Sequence, residues 1–467
     1  MQIIYNSALG KKKELNPIKY KQISIYLCGP TVQSAPHIGH IRSAIAFDII
    51  VRWLKFSGNK VTYIRNITDI NDKIFQVAKE KDLSWWEVSG KYSNAFYNAY
   101  KTLGCLDPSY EPLASAHINQ MIDLIDKILQ AGKAYIAKDG IYFDTSAYKD
   151  YGSLTNQTND KNLADEEDLS KYKKNPRDFA LWKFSKENNQ NIFPTYKTPW
   201  GIGRPGWHLE CSAMAKTYLG KSFDIHGGGL DLRFPHHENE QAQSKSVGWR
   251  FAKNWIHTAW VTQKGEKMSK SLGNGLLVKD ILQKTSPLIL RFALGSPHYR
   301  SQIEWDNETL DRAKNSLQSI LDFINNLDEK LINSNNTFLN KVSNDFANSM
   351  NDDFNVPLAL SVIYKQIKEY NASKNKLNEK NLCLTILTEL NILGFNPCNF
   401  INNISQQNAN MEKIKNALNI LISENLDKRA EAKKNKEFTK ADEIRQKLLS
   451  AGILIEDKSG GKQVWKI

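Results

Sequence analysis

The stretch from Gly203 to Glu240, taken with one distant cysteine, constrains this chain more than any other. It runs GRPGWHLECSAM and, after a short gap, HGGGLDLRFPHHENE. If residues 236–246 are helical, His236 and Glu240 stand four apart on one face, able to hold a single ion. Cys211 offers a soft ligand from another element, and Cys28, just before Gly29-Pro30, offers a second. Two thiolates, an imidazole and a carboxylate suit tetrahedral zinc. Each residue alone also fits a plainer role: a His/Glu pair at helical spacing forms solvated ion pairs, and a single Cys packs as a small core hydrophobe. The zinc-protease pattern HExxH is excluded, because Gln241 stands where its second histidine belongs.

A chain of 467 residues is too long for one ordinary core and predicts two to four domains. With 41% hydrophobic and 24% charged residues it has a globular composition. The net charge of +13 favours a polyanionic partner, nucleic acid first. Five scattered cysteines argue against a disulfide framework and for a reducing compartment. The opening MQIIYNSALGKKKEL lacks an apolar signal core, and no 18-residue apolar span occurs. A cytoplasmic protein without membrane attachment is expected.

Residues 23–28, ISIYLC, form an apolar β-rich run, and Ile45, Ile49, Trp53 and Leu54 repeat at helical spacing up to a stop at Gly58. VTYIRNITD (61–69) follows as a second buried strand, so a parallel βαβ unit is predicted. The loop between the first strand and its helix holds Pro36-His37-Ile38-Gly39-His40. In an open α/β sheet that position binds ligands, and a helix N-terminus attracts phosphate. Far downstream, KGEKMSKSLGN (264–274) reads as a polar, glycine-flanked loop whose Lys267 and Lys270 can neutralise a leaving pyrophosphate.

These motifs carry a resemblance. CGPTV (28–32), PHIGHIRSA (36–44), RNITDINDK (65–73), PRDFALWK (176–183), PWGIGRPGWHLECSAM (199–214), HGGGLDLRFPHHENE (226–240) and KMSKS (267–271) resemble the class I aminoacyl-tRNA synthetases. Within them the chain is similar to the cysteinyl-tRNA synthetase family over essentially its whole length; SPHYRSQIEW, MNDDFNVPLAL and the C-terminal KEFTKADEIRQKLLSAGILIEDKSGGKQVWK extend the likeness. Gln33-Ser34 and Asn71 depart from the family's common Tyr-Asp and Asp.

The resemblance implies ATP-dependent ligation of L-cysteine to tRNA-Cys through a cysteinyl-adenylate, with magnesium accompanying ATP and one zinc per chain. Cys28, Cys211, His236 and Glu240 would hold the zinc, which would select the substrate's thiolate. His37, His40, Lys267 and Lys270 would stabilise the phosphoryl transition state. Gly229 and Asp231 would meet the ribose and Val261 the adenine, while Thr31, Thr68, Trp207 and His226 would form the cysteine pocket.

The implied architecture is a Rossmann-like α/β catalytic domain in two halves, 1–114 and 196–262, split by a connective peptide at 115–195. A KMSKS junction at 263–308, a helical bundle at 309–400 and a small α+β anticodon-binding domain at 401–467 follow, in a chain expected to be a monomer. In the last segment Lys428, Arg429, Lys433, Lys434, Lys436, Lys440, Arg445 and Lys447 make a basic helical surface that favours RNA. Two other functions stay open at this point: a cysteine ligase that acylates a sugar amine, as in mycothiol synthesis, and a non-catalytic zinc-containing RNA-binding paralogue. The basic C-terminal segment speaks against the first, and the intact His37, His40 and Lys270 against the second.

Overall fold

The computed structural model describes residues 1–155, 170–185, 193–267, 276–327, 341–372, 376–397, 421–450, 453–457 and 463–466. The chain divides into two compact units, Met1–Pro397 and Cys398–Ile467.

The first unit is built on a four-stranded parallel sheet. Strand β1 (Gln22–Leu27) enters helix α1 (Ile38–Phe56), which returns to β2 (Lys60–Arg65). Much later, helix α2 (Trp207–Leu219) leads to β3 (Ser222–Gly229), helix α3 (Glu238–Ser246) and β4 (Phe251–Thr258). The strand order is β4-β3-β1-β2, all parallel. Ile23, Ile25, Tyr26 and Leu27 of β1 are all buried, the pattern of a strand covered on both faces. Order reverses between β1 and β3, and at such a switch point a crevice opens beyond the carboxyl ends of the strands.

Between the two halves lies an antiparallel five-stranded sheet of Ala134–Ile136, Gly140–Phe143, Phe179–Phe184, Gly201–Pro205 and Tyr196–Thr198. It continues past residue 195 up to Pro205, because Gly203 and Gly206 let the last strand approach its neighbour. A Cβ on either would stand 2.2 and 2.0 Å from the Lys183 and Ala180 carbonyl oxygens, respectively. Residues 156–169 of this inserted segment lie outside the described residues.

After the catalytic halves the chain turns helical. Helix Thr309–Asn325 buries Ala313, Leu317, Ile320, Phe323 and Ile324 along one face. Just before it, the Trp305 N–H donates to the Thr262 carbonyl at 2.7 Å. Helices Pro287–Gly295 and Lys376–Leu393 pack back on α1. Buried charge ties them together: Asp48 of α1 accepts from the Arg291 guanidinium, from Arg52 Nε at 2.9 Å and from the Leu106 N–H at 2.8 Å. Gly394, at φ +69°, leaves room for the Arg291 guanidinium where a Cβ would collide.

The second unit pairs Leu454–Asp457 with Gln463–Lys466 as an antiparallel hairpin against helix Phe438–Ser450. Ile422, Leu448 and Ile453 form its core, with Leu426, Ile444, Ile455 and Trp465 around them. Of the basic residues read as one surface, Lys428, Lys434, Lys436, Lys440, Arg445 and Lys447 are exposed, Lys433 is half-buried and Arg429 is buried. Among the described residues no helix is long and apolar enough to cross a membrane.

Burial alone would raise the Asp48 pKa, but Arg52 and Arg291 outweigh it and hold the carboxyl below its ordinary value. A carboxylate depressed in the folded state contributes stability above its unfolded pKa of about 3.9 and loses that contribution as pH falls. Arg291→Met, which strips a buried charge of its partner, is expected to cost about 3 kcal/mol at neutral pH. The cost, read from denaturation midpoints, should shrink as the pH is lowered toward about 3.

Candidate active site

Four donor atoms converge at the end of β1. Cys28 leaves the strand with its N–H on the Gly227 carbonyl of β3 at 3.0 Å. Cys211 faces it from α2, fully buried, with the sulfurs 3.7 Å apart. His236 sits in the irregular turn Arg233–His237 before α3, where Phe234 leaves helical geometry, and Glu240 lies one turn on. Glu240 Oε1 is 3.4 Å from Cys28 Sγ and 3.2 Å from His236 Nε2. One donor atom from each of the four residues lies within 4.8 Å of the others.

Those separations test a metal directly. A tetrahedral zinc with bonds of about 2.0–2.3 Å sets its ligand atoms about 3.3–3.8 Å apart. The sulfur–sulfur, sulfur–oxygen and nitrogen–oxygen contacts fall at or next to that range, so the residues fit the ion. Burial, with Cys211 and Glu240 adding to it, pushes the Cys28 thiol well up, and burial pushes Cys211 up as well. Burial, then His208 and His226, hold His236 well below the usual imidazole value, which keeps it the neutral ligand form.

Outer partners aim these donors. His236 Nδ1 lies 2.9 Å from His208 Nδ1, and its ring stacks on Trp207 at 4.2 Å. The second oxygen of Glu240 meets His226 Nε2 at 2.9 Å. Such contacts fix ring orientation and carboxylate direction around a metal. A second donor set, Cys28, His226, His237 and Glu240, also satisfies the same closeness.

The cluster opens on a cavity of about 710 Å³ at the carboxyl ends of the strands. Cys28, Thr31, His37, His40, Trp207, Gly229, Asp231 and Val261 line it. Two of the residues expected at the amino acid do not. His226 is fully buried behind Glu240, and Thr68 is buried next to Thr31, with which its backbone forms a parallel bridge. His37 occupies the N-cap of α1 and stacks on His40 at 3.6 Å, its N–H donating to His40 Nδ1 at 3.3 Å. Both rings therefore stand where the amino end of α1 meets the cavity, a natural anion position.

The lysine loop is bracketed by that same region. Lys267 pairs with Thr262 through the backbone, while Leu277 bridges His37 and the Val278 N–H donates to the Pro36 carbonyl at 3.0 Å. Lys270, with Met268 through Gly275, lies outside the described residues. Gln33 and Ser34, one departure from the family pattern, line the cavity. Asn71, the other, caps helix Asp72–Lys81 by accepting from the Lys73 N–H at 3.0 Å, the role an Asp would fill equally.

Three residues escaped the sequence reading. Asn66 accepts from the Gly29 N–H at 2.9 Å and reaches Cys211. Glu210 is buried beside Cys211, and burial together with Asp69 and Asp72 pushes its carboxyl well up. His208 braces His236. The motif spans RNITDINDK and GWHLECSAM contained all three, but nothing in their spacing marked them.

A parallel sheet whose switch point carries a phosphate-facing helix end, with a donor cluster beside it and an inserted antiparallel domain between its halves, defines a class I aminoacyl-tRNA synthetase. The fold comparison agrees: LeuRS of Agrobacterium radiobacter in a complex with tRNA and LeuAMS superposes with TM-score 0.59, 83% of this chain on 85% of that one, at 11% identity. Mycobacterium tuberculosis methionyl-tRNA synthetase in complex with methionyl-adenylate gives 0.54, 80% on 89%, at 15% identity. Residues 14–315 match the family described as tRNA synthetases class I (C) catalytic domain, and residues 345–395 the DALR domain. The cysteine–tRNA ligase of Streptomyces coelicolor is 42% identical over 99% of this chain and 75% of its own length; that of Streptomyces avermitilis is 42% identical over 98% and 97%. The chain belongs to the cysteine–tRNA ligase family.

Gly29 carries a steric test of the site. A Cβ there would stand 1.7 Å from the Asn66 carbonyl oxygen, a backbone atom with nowhere to go. Gly29→Ala is expected to lower the thermal midpoint by several degrees through a displaced Cys28 loop. Gly90→Ala, in helix Trp85–Thr102 with open space around the new methyl, is expected to be neutral or stabilising by up to about 1 kcal/mol.

Proposed function

We propose that this enzyme joins L-cysteine to tRNA-Cys in two steps at the cavity between the donor cluster and the start of α1. The cysteine carboxylate attacks the α-phosphate of ATP, giving cysteinyl-adenylate and pyrophosphate. A hydroxyl of the terminal adenosine of tRNA then takes the cysteinyl group and releases AMP. His37 and His40 stabilise the charge on the transferring phosphate, and Lys267 and Lys270 that on the leaving pyrophosphate. Gly229 and Asp231 hold the ribose, Val261 the adenine, and magnesium arrives with ATP. No side chain acts as nucleophile, so positioning and charge stabilisation supply the rate.

The observation that carries this reading is the set of donor separations beside the nucleotide cavity. Cysteine and serine are nearly isosteric, and a plain pocket separates such pairs by only about 1–3 kcal/mol. Bound by Cys28, Cys211, His236 and Glu240, zinc would supply a soft position that a thiolate fills well and a hydroxyl poorly. Trp207, stacked on His236, then closes the pocket, and Thr31, backed by its bridge to Thr68, steers the polar end. His226 acts one layer out, orienting Glu240 rather than touching the amino acid.

The rest of the chain serves the RNA. The inserted sheet lies on the acceptor side, the DALR-matching helices carry the stem, and the exposed lysines of the last unit contact anticodon-stem phosphates, giving an affinity that falls with salt. The enzyme works as a cytoplasmic monomer.

Purified protein is expected to contain about one zinc per chain. Cys211→Ser should lose most of it and lose cysteine-dependent ATP–pyrophosphate exchange with it. In the intact protein, tRNA-Cys should be charged, whereas exchange without any tRNA charging would point to a sugar-amine acceptor. Full activity of a metal-free preparation would sink the assignment.

A further inference from the structure

The donor cluster accounts for the choice of a sulfur but not for the choice of a chain length. Homocysteine carries the same thiol, ammonium and carboxylate as cysteine with one methylene more, so a soft ligand position accepts both. With the sulfur fixed at the donors, the extra methylene has to be refused by a wall. Trp207 is that wall in the reading above, and it is a partition between two spaces. It lines the cavity of about 710 Å³ and also an adjoining chamber of about 40 Å³, bordered by Asp72, Lys183 and Arg204. A water molecule's share of liquid volume is about 30 Å³. An indole ring that moved into the chamber would therefore yield about the room that one methylene needs.

The groups that hold Trp207 back lie on the first turn of helix Asp72–Lys81. Trp207 opens α2, three residues after Arg204 in strand Gly201–Pro205. Arg204 stands directly opposite Lys183 on the neighbouring strand of the inserted sheet. Like charges so paired destabilise a sheet, and Asp72 offsets them from outside it. Its Oδ2 accepts from Lys183 Nζ at 2.9 Å, and its Oδ1 accepts from Arg204 Nε at 2.8 Å. The side chains are 48%, 26% and 25% exposed for Asp72, Lys183 and Arg204, a setting in which a lone ion pair contributes little. Here one carboxylate serves two cations, each on its own oxygen, and the Arg204 guanidinium also lies over the Phe75 ring of the same helix at 5.9 Å. The next residue, Lys73, lines the main cavity and places Nζ over the Trp207 indole at 5.9 Å. Consecutive residues of one turn thus grip both the strand that delivers Trp207 and the ring itself.

We infer that Asp72 is a specificity-determining positioning residue: by drawing Lys183 and Arg204 onto its helix it keeps Trp207 out of the adjoining chamber, and so limits the substrate to a side chain of cysteine's length. The inference rests on the cysteine-activating reading above. Asp72 acts through Trp207 and not by contact with the substrate. Sulfur and chain length are then selected by separate devices, the first by the donor cluster and the second by an ion-pair network between the catalytic half and the inserted sheet.

The test is ATP–pyrophosphate exchange by the full-length, zinc-containing protein with L-cysteine and with L-homocysteine. A pocket that refuses one methylene separates such substrates by about 10- to 200-fold in kcat/KM, which is the preference expected of the unaltered protein. Asp72→Ala is expected to lower that preference by roughly tenfold, the lower end of what one methylene is worth, mainly through a smaller KM for homocysteine. The KM for ATP and the zinc content should stay within about twofold, since the network reaches neither the nucleotide side nor the donors. Asp72→Glu, which keeps a carboxylate within reach of both cations, should restore most of the preference. Lys183→Met combined with Arg204→Met should act as Asp72→Ala does, and adding Asp72→Ala to that pair should change little further.

Should Asp72→Ala fail to fold, the Lys183→Met, Arg204→Met protein carries the same comparison, because it leaves no like charges facing each other. Equal weakening of both amino acids, or loss of zinc together with activity, would overturn the inference in favour of an ion pair that only supports the fold. An unchanged preference in Asp72→Ala would overturn it as well, and so would an unaltered protein that uses both substrates equally. If the unaltered protein shows no cysteine-dependent exchange, the reading beneath the inference falls first.

Discussion

Two thiols, an imidazole and a carboxylate packed against one another form an arrangement that a cation makes favourable. Unpaired, each would have to stay neutral or shed its burial, and the raised thiols of Cys28 and Cys211 register that tension. The surrounding fold is arranged to hold this one contact. Cys28 arrives on the central strand, Cys211 on α2, and His236 with Glu240 at the start of α3, so the sheet must form with its β1–β3 register intact before the four can meet. Close approach helps: Gly227 of β3 lies against the Phe47 ring of α1, where a Cβ would come within 2.0 Å. The strand that bears the glycine run is thereby drawn onto the helix whose amino end bears His37 and His40.

This geometry joins two chemistries that need different surroundings. The donor cluster is soft and largely buried, while the side toward His37 and His40 is wider and open to the cavity. Trp207 stands at the seam, stacked on His236 and lining the cavity at once. The nucleotide side is completed from far along the chain. The backbone around Leu276 to Val278 pairs with Pro36 to Ile38, so the lysine segment leaves a strand beside Thr262 and returns beside the first histidine.

The sequence made the donors legible because their chemistry is unusual and one pair has helical spacing. It made the place of the His37–His40 motif legible, because that motif lies between a strand and its helix, where a βαβ unit opens toward its crevice. It did not make the supporting layer legible. The helix ENEQAQSKS reads as a solvated polar surface, yet Glu238 through Ser244 are all buried. Polar side chains look alike in a sequence whether water or protein satisfies them, and only the tertiary fold decides. Glu210, Asn66 and His208 were passed over for the same reason. Arg429 shows the converse, since a run of basic residues says nothing about which one turns inward. The strands Tyr196–Thr198 and Gly201–Pro205, which pair with the inserted sheet, were not legible either, because short strands carry little periodic signal.

That buried polar helix also explains how an inserted domain can be fastened to the donor cluster without touching the donors. Glu238 accepts from the backbone N–H groups of Gly152, Leu154 and Thr155 at 2.9–3.1 Å, and Asn239 accepts from the Tyr151 hydroxyl at 2.6 Å. Glu238 is pushed up by burial and drawn back by those donors, so the loop at 151–155 needs the helix as much as the helix needs the loop. Two residues further on, Glu240 points the other way, into the donor cluster. One short helix therefore offers one carboxylate to the inserted domain and one to the donor site.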